Sequence, residues 1–225
     1  MNYAEIKNLD IANGPGLRVS LFVSGCTHHC KGCFNPESWD FNYGQPFTEA
    51  TEEELLKLLE NEHIRGLSLL GGEPFEPANQ AVLAPFLQRV KAKFPHKDVW
   101  CYSGYNFEQD MLTGNLGPWE ITEQMLNCID VLVDGEFVIE LKNPNLRFRG
   151  SANQRVILVQ ESLKEDRIVQ WDDGEGINLF THINVVGIGV VALIGYILDG
   201  AKTSLIHACK AVAQAFSRST VEAKA

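Results

Sequence analysis

The chain has 225 residues, of which 45% are hydrophobic and 21% charged, a profile typical of a globular enzyme rather than of a disordered or fibrous protein. Its formal net charge of -10 argues against nucleic acid as a partner, because contacts to phosphate need clustered Lys and Arg. A chain of this length also buries a hydrophobic core without cross-links, so its six cysteines need not form disulfides.

The N-terminal sequence MNYAEIKNLDIANGPG carries acidic and polar residues where a secretory signal would need an apolar core. We therefore expect a cytoplasmic protein. In a reducing compartment, cysteines are read as metal ligands or buried thiols.

Strand and helix patterns alternate along the chain. Short β-branched and aromatic runs predict strands over residues 18–24, 66–70, 98–102 and 129–133, with one more within 156–160. Leucines at helical spacing predict a helix over 51–61, capped by Thr51, and an amphipathic pattern predicts another over 79–93. This alternation predicts an α/β fold.

Three cysteines in one loop follow the first predicted strand directly, in the sequence CTHHCKGCF. Thiolates are the ligands that soft metals prefer, so this spacing indicates a metal site. One interpretation is a Cys3His zinc site completed by His28 or His29. The other is a four-iron cluster in which Cys26, Cys30 and Cys33 bind three irons and the fourth iron has no protein ligand. The residues themselves leave both open.

The cysteine spacing C-x3-C-x2-C with an aromatic residue after it, and a GGEP turn after the next strand, resembles the radical S-adenosylmethionine superfamily. Four further segments resemble, in the same order, the activating proteins of anaerobic ribonucleoside-triphosphate reductases. They are NGPGLRVSLFVSGC (13–26), WCYSGY (100–105), VLVDGEF (131–137) and RFRGSANQR (147–155). The resemblance runs from the first residue to about Gly174.

This resemblance implies an α/β fold with a partial (βα) barrel of radical S-adenosylmethionine type over residues 1–175. It implies one [4Fe-4S] cluster per chain, with Cys26, Cys30 and Cys33 as metal ligands. In that family the open iron holds S-adenosylmethionine, and an electron from the reduced cluster cleaves its sulfonium carbon-sulfur bond. The resulting 5′-deoxyadenosyl radical removes a hydrogen from a glycine of the reductase large subunit. The expected partners are that subunit and an electron donor such as flavodoxin or ferredoxin.

The resemblance also implies cofactor-binding residues around the cysteines and the glycine turn: Gly32, Cys33, Phe34, Gly71, Gly72 and Glu73. Gly71 and Gly72 would let backbone approach the methionyl amino group, and Glu73 would accept a hydrogen bond from it, although a tight turn alone also explains the glycines. Phe34 would lie against the adenine, or else pack in the core.

Other polar and sulfur-containing residues have less distinctive patterns. We expect His28 and His29 to be neighbours of the site rather than ligands, and Cys101, Cys128 and Cys209 to be buried apolar thiols. Ser103 and Asp134 follow predicted strands, where cofactor contacts and turn chemistry explain them equally. Arg147, Arg149 and Arg155 form a basic patch that either docks the partner or makes surface ion pairs.

Two other functions remain open at this point. One is an activase for a different glycyl-radical enzyme, of formate-lyase type. The other is a zinc-binding module without catalysis.

Residues 176–225 have no counterpart in the resemblance, and we predict a helical C-terminal extension of unknown role. Residues 177–198 carry no charge, which makes a membrane span a candidate. The lysines after this stretch would place the C-terminus in the cytoplasm, on the same side as the cysteines, which a single span does not allow. We therefore favour packed helices over a membrane anchor. A fusion scar is a further explanation.

Overall fold

The computed structural model describes residues 1–172, which form one mixed β-sheet with helices between its strands. The strands of this part of the chain are β1 (Asn2–Asp10), β2 (Leu17–Val23), β3 (Gln45–Pro46), β4 (Ile64–Gly71), β5 (Asp98–Tyr102), β6 (Val131–Asp134) and β7 (Arg155–Leu158). Its α-helices are α1 (Glu49–Leu59), α2 (Pro77–Lys93), α3 (Trp119–Cys128) and α4 (Val159–Glu165). Short helical turns span Pro36–Trp39, Phe107–Met111 and Ile139–Leu141.

The strand order of the sheet is β3-β1-β2-β4-β5-β6-β7. Strands β2, β4, β5 and β6 run parallel, whereas β1, β3 and β7 pair antiparallel to their neighbours. Parallel neighbours end at the same edge, and Val23 at the end of β2 pairs with Gly71 at the end of β4. The loop after β2 and the turn after β4 are therefore adjacent. The predicted α/β class is confirmed, and the partial-barrel curvature stays a prediction.

The two faces of the sheet are covered differently. Alternate residues of β2, such as Val19 and Leu21, join leucines of α1 and α2 in the main hydrophobic core. On the opposite face, Trp100 packs with valines of β6 and β7, and is covered by Phe148 and Trp171 from loops. The helices thus lie on one face, and loops cover part of the other.

Each strand and helix predicted within residues 1–172 is present, but the predicted cap of the first helix is wrong. Helix α1 begins at Glu49, and its N-cap is Thr48 rather than Thr51. The side chain of Thr48 accepts a hydrogen bond from Thr51 N at 3.4 Å, and Thr51 Oγ1 accepts one from Thr48 N at 3.2 Å. Thr51 therefore completes a capping box from inside the helix.

Four of the named strands and helices have no prediction from the sequence: β1, β3, α3 and α4. Strand β1 contains Asn, Glu, Lys and Asp side chains and is largely exposed, so it lacks a buried-strand pattern. It forms because its backbone pairs with β2. Helix α3 follows Pro118 without a side-chain cap, so the usual signal for a helix start is missing.

The predictions for residues 176–225, including Cys209 and the uncharged stretch, lie outside the described residues. So does the predicted boundary between residues 175 and 176. Met1–Trp171 form one compact unit. None of the helices in residues 1–172 is long and apolar enough to cross a membrane.

Candidate functional site

A cavity of about 550 Å³ lies where β2, β4 and β5 end. Its lining includes the loop after β2, the turn after β4, and parts of the segment 135–154. Of the predicted metal- and cofactor-binding residues, those that line it are Cys26, Cys30, Cys33, Phe34, Gly71, Gly72 and Glu73. Gly32 is not among the lining residues. The strand order thus brings two motifs that are far apart in sequence into one site.

The cysteine loop is held at its start and curled in its middle. Cys26 N donates to Trp39 O at 3.2 Å, which fixes the loop against the short helical turn that follows it. Cys33 N donates to Cys30 O at 3.1 Å, which closes a tight turn between the second and third cysteines. Gly32 has a φ of +77°, a left-handed conformation that glycine adopts without strain. Gly32 therefore allows the loop to curl between the second and third cysteines.

The thiols of this loop need a positive partner if they are to ionise. Burial raises the pKa of the Cys26 thiol to about 12 and also raises the pKa of Cys30. A buried thiolate is stable only where cationic charge compensates the lost solvation, and coordinated metal ions supply such charge. The donor chemistry therefore fits a thiolate-bound metal centre.

The spacing of the ligand side chains bears on which metal centre fits. Among residues 1–172, no group of three His, Cys, Asp or Glu side chains is arranged to hold a single metal ion. A zinc ion would need four ligands within about 2.0–2.3 Å of one atom. An iron-sulfur cluster binds each thiolate to a different iron, so its thiols are spread more widely. The geometry of the described residues does not by itself choose between these two centres.

His28 lies between two carboxylates. Its Nδ1 is 2.8 Å from Oε1 of Glu136, and its Nε2 is 3.2 Å from Oε2 of Glu73 without the alignment of a hydrogen bond. Its ring also meets the ring of Tyr105 edge to face, with centroids 4.4 Å apart. Burial disfavours the imidazolium, but Glu73 and then Glu136 outweigh burial and raise the pKa of His28 to about 9. The two carboxylates therefore favour the protonated form of His28 over the neutral form.

The carboxylate of Glu73 is buried, with 1% of the residue exposed, and it already has several partners. Oε1 accepts hydrogen bonds from Phe75 N at 2.8 Å and from Ser103 Oγ at 2.9 Å. Oε2 accepts one from Gly104 N at 2.7 Å and faces His28. Glu73 thus joins the turn after β4 to the turn after β5.

Phe34 is 68% exposed, so the alternative that it packs in the core is wrong. Its ring lies 5.6 Å from that of Phe137, and Lys142 Nζ lies 4.9 Å from its centroid. An exposed aromatic ring at the rim of a cavity is available to stack on a ligand. His29 is also exposed and packs beside Trp39, with ring centroids 4.8 Å apart.

Several lining residues were not predicted from the sequence. They come from β1, from β5 and from the segment that covers the open face: Lys7, Tyr102, Phe137, Leu146 and Phe148. Tyr102, Phe137 and Phe148 lie in segments that carry the family resemblance, but no role at the site was assigned to them there. Only their placement by the fold identifies them as lining residues. Cys101 and Cys128 are buried in the main core, as predicted.

The three arginines of the predicted basic patch have defined intramolecular contacts. Arg155 pairs with Asp134 and Glu108, and Arg149 Nη1 donates to Gln154 O at 2.9 Å. Arg147 lies over the rings of Phe148 and Trp171. The carboxylate of Asp134 therefore forms an ion pair with Arg155 rather than only stabilising a turn.

Comparison with known proteins identifies the family. A family model described as a 4Fe-4S single cluster domain matches residues 12–157. An anaerobic ribonucleoside-triphosphate reductase-activating protein of Pasteurella multocida (strain Pm70) is 46% identical over 156 residues, which cover 68% of this chain and 95% of the relative. Its namesake in Escherichia coli (strain K12) is 44% identical over 158 residues, covering 69% and 97%. The chain belongs to this family of activating proteins.

A relative from a virus belongs to the same family. The description of the family model also distinguishes between the two candidate metal centres. The activating protein of Enterobacteria phage T4 is 42% identical over 157 residues, which cover 69% of this chain and 93% of the relative. Membership in a 4Fe-4S domain family supports an iron-sulfur cluster rather than zinc. The resemblance inferred from the short motifs is thus confirmed, and the similarity covers most of the length of each relative.

Proposed function

We propose that this activating protein is a radical S-adenosylmethionine enzyme that generates a glycyl radical on an anaerobic ribonucleoside-triphosphate reductase. Cys26, Cys30 and Cys33 hold a [4Fe-4S] cluster, and S-adenosylmethionine occupies the cavity beside it. When bound and reduced, the cluster supplies one electron that splits the cofactor into methionine and a 5′-deoxyadenosyl radical, which takes a hydrogen atom from a glycine of the partner. Reduction comes from a protein such as flavodoxin or ferredoxin.

One observation carries this proposal: the cysteine loop and the glycine turn line the same cavity. Gly72 N donates to Val23 O at 2.7 Å, and Glu73 N donates to Gly25 O at 2.8 Å, so the two motifs are in direct backbone contact. A ligand bound at the cluster would therefore reach the glycine turn. A zinc-binding module without catalysis would not require the glycine turn beside its metal site.

The residues around the cavity take different roles in the proposal. Gly71 and Gly72 present backbone to the methionyl group, since a glycine has no Cβ to hold it off. Glu73 is a positioning residue, because both of its carboxylate oxygens already accept protein hydrogen bonds. This differs from the expectation that its side chain binds the methionyl amino group. Phe34 stacks on the adenine at the rim.

The identity of the partner rests on the relatives. The proteins from Pasteurella multocida and Escherichia coli are named as activating proteins of anaerobic ribonucleoside-triphosphate reductase. We propose the same partner, its large subunit, for this chain. Activation of a formate-lyase type enzyme has no support among these relatives.

The decisive experiment is anaerobic reconstitution with iron and sulfide, followed by reduction in the presence of S-adenosylmethionine. The proposal expects about four irons per chain, and release of 5′-deoxyadenosine and methionine. Cys30→Ala should abolish both cluster assembly and cleavage. Cys101→Ala is the matched control, because Cys101 is fully buried in the core, and it should retain both. Zinc without iron in the wild type, or iron without cleavage, would refute the proposal.

The partner is tested by adding purified reductase to the reconstituted protein. A glycyl radical signal in electron paramagnetic resonance should develop on the reductase and depend on S-adenosylmethionine. A formate-lyase type enzyme, added in its place, should remain without a radical. The reverse preference would contradict the assignment of the partner.

A further inference from the structure

The first turn of α2 departs from ordinary helix capping. Glu76 is the N-cap residue, yet its side chain makes no capping hydrogen bond. An acidic N-cap side chain ordinarily accepts a hydrogen bond from the free backbone N–H groups of the first turn. Here Oε1 of Glu76 instead accepts hydrogen bonds from Thr27 N at 2.8 Å and from Thr27 Oγ1 at 2.6 Å. The carboxylate is thus directed to the cysteine loop, one residue after Cys26.

Asn79, in the same turn of α2, joins two backbone segments. Its Nδ2 donates to Ser24 O at 3.0 Å and to Glu73 O at 2.8 Å. Both acceptors are carbonyl oxygens, so the nitrogen of the amide must face them. Ser24 leads into the cysteine loop, and Glu73 belongs to the glycine turn. One buried amide group therefore connects the two motifs of the site.

This arrangement leaves polar atoms unsatisfied. Within the described residues, Asn79 Oδ1 and Ser24 Oγ are buried without a hydrogen-bond partner. Burying an unpaired acceptor is unfavourable, and the two hydrogen bonds that Asn79 donates offset that cost. Breaks of local rules of this kind concentrate at functional sites. The two hydrogen bonds that Asn79 Nδ2 donates explain why an asparagine stands at this position.

We infer that Glu76 and Asn79 form a positioning clamp that fixes the separation between the cysteine loop and the glycine turn. This inference deepens the proposed function and rests on it, because S-adenosylmethionine must reach from one motif to the other. The backbone bonds between the motifs extend only as far as Gly25. Beyond that point, Glu76 ties Thr27 to α2. The clamp thereby sets where the first cysteine stands relative to the glycine turn.

The clamp acts through other residues and touches neither cluster nor substrate. Loosening it leaves all three thiols in place, so cluster assembly should persist. The displaced loop would no longer match the length of the ligand, since displacements of about 1 Å are enough to impair a preorganised site. The expected signature is weakened binding of S-adenosylmethionine to a protein that still holds its iron.

The test measures iron content and equilibrium affinity for S-adenosylmethionine in the reconstituted protein. Affinity is followed through the change that this cofactor causes in the electron paramagnetic resonance spectrum of the reduced cluster. Glu76→Ala and Asn79→Asp should retain the iron of the wild type and bind the cofactor at least tenfold more weakly. Glu76→Gln keeps an oxygen that accepts from Thr27, and should restore affinity to within threefold.

Matched controls and a partner variant complete the design. Gln88→Glu makes the same amide-to-acid change on an exposed position of α2, and Glu54→Ala makes the same truncation on an exposed position of α1. Both should bind like the wild type. Thr27→Val removes the hydroxyl hydrogen bond but keeps the bond from Thr27 N to Glu76, so it should weaken binding by less than Glu76→Ala does. The double variant should be no worse than Glu76→Ala alone. If Asn79→Asp does not fold, Glu76→Ala and Thr27→Val still test the clamp.

Unchanged affinity in Glu76→Ala, or loss of iron in parallel with affinity, would overturn the clamp. The second result would show that these residues only keep the loop folded. The wild type is measured first. If it assembles the cluster but neither binds nor cleaves S-adenosylmethionine, the proposed function fails together with the clamp, whereas a competent wild type with unaffected variants overturns the clamp alone.

Discussion

Arg155 holds Asp134 through two parallel hydrogen bonds, from Nε to Oδ1 at 3.0 Å and from Nη2 to Oδ2 at 2.5 Å. The two residues are cross-strand partners at the end of β6 and the start of β7. Asp134 is fully buried, and Glu108 binds the outer side of the same guanidinium. Arg155 is therefore part of the fold, and the docking role suggested for it from the sequence has no support.

Arg155→Met should destabilise the protein because it leaves the Asp134 carboxylate buried without its partner. Breaking such a pair costs about 3 kcal/mol of unfolding free energy. Urea unfolding measures this loss. Arg167→Met is the control, since Arg167 pairs with Glu165 at the surface, and it should change stability by less than about 0.5 kcal/mol. Equal effects of the two substitutions would contradict the structural role of Arg155.

Gly72→Ala should separate the two motifs of the site. A Cβ at this position would lie 2.5 Å from Gly25 O and 3.0 Å from Ser38 O, both backbone atoms. Because the backbone must shift, we expect a loss of about 2–3 kcal/mol in stability together with weaker cofactor binding. Thermal unfolding and the spectroscopic titration check the two effects.

Gly114→Ala is the control for that substitution. A Cβ at Gly114 meets no atom within 4 Å, and only its left-handed φ of +72° disfavours alanine. It should cost about 1 kcal/mol and leave cofactor binding unchanged. If Gly114→Ala impaired binding as strongly as Gly72→Ala, close contact at the glycine turn would not be the cause.

Asp10 should contribute a pH-dependent part of the stability. Burial raises the pKa of this carboxyl, but hydrogen bonds from Ser20, Ala12 and Asn13 outweigh burial and hold the pKa below its ordinary value. A carboxyl whose pKa is lower in the folded state stabilises the protein above the unfolded-state value, near 3.9, and this contribution is lost as pH falls through the folded-state value.

Asp10→Asn should therefore lower stability by about 1–2 kcal/mol at pH 6, because one amide oxygen cannot replace two carboxylate oxygens. The difference from the wild type should shrink at pH 3. Urea unfolding of the metal-free protein at both values measures it, since release of the cluster in acid then plays no part. A difference that stays constant with pH would show that ionisation of Asp10 is irrelevant.

Phe34→Ala should affect ligand binding without affecting stability. The side chain is largely exposed, so its removal should change the unfolding free energy by less than about 0.5 kcal/mol. Stacking of an aromatic ring on a base contributes about 1–3 kcal/mol, which corresponds to roughly a 5- to 150-fold loss of affinity for S-adenosylmethionine. Tyr43→Ala, at an exposed aromatic residue that does not line the cavity, should bind normally. Normal affinity of Phe34→Ala would remove Phe34 from the adenine site.

Much of the candidate site could be predicted because its chemistry lies in two short motifs. Three thiols within one loop indicate a metal centre wherever the loop is placed. The glycine turn is recognisable because glycines followed by proline end a strand. The engagement of Glu73 could not be predicted, because Ser103 and Gly104 lie 30 and 31 residues away in sequence. A short motif does not reveal which of its polar atoms form hydrogen bonds within the protein and which stay available to a ligand.

The sequence by itself determined the α/β alternation, the succession of buried strands along the chain and the three-cysteine loop, since hydrophobic periodicity and ligand type are local properties. The tertiary structure alone decided that β1 exists, that His28 lies between Glu73 and Glu136, and that α2 reaches the cysteine loop through Glu76 and Asn79. These features depend on which strand ends become neighbours in the sheet. The pairing of Val23 with Gly71 brings the ends of β2 and β4 together.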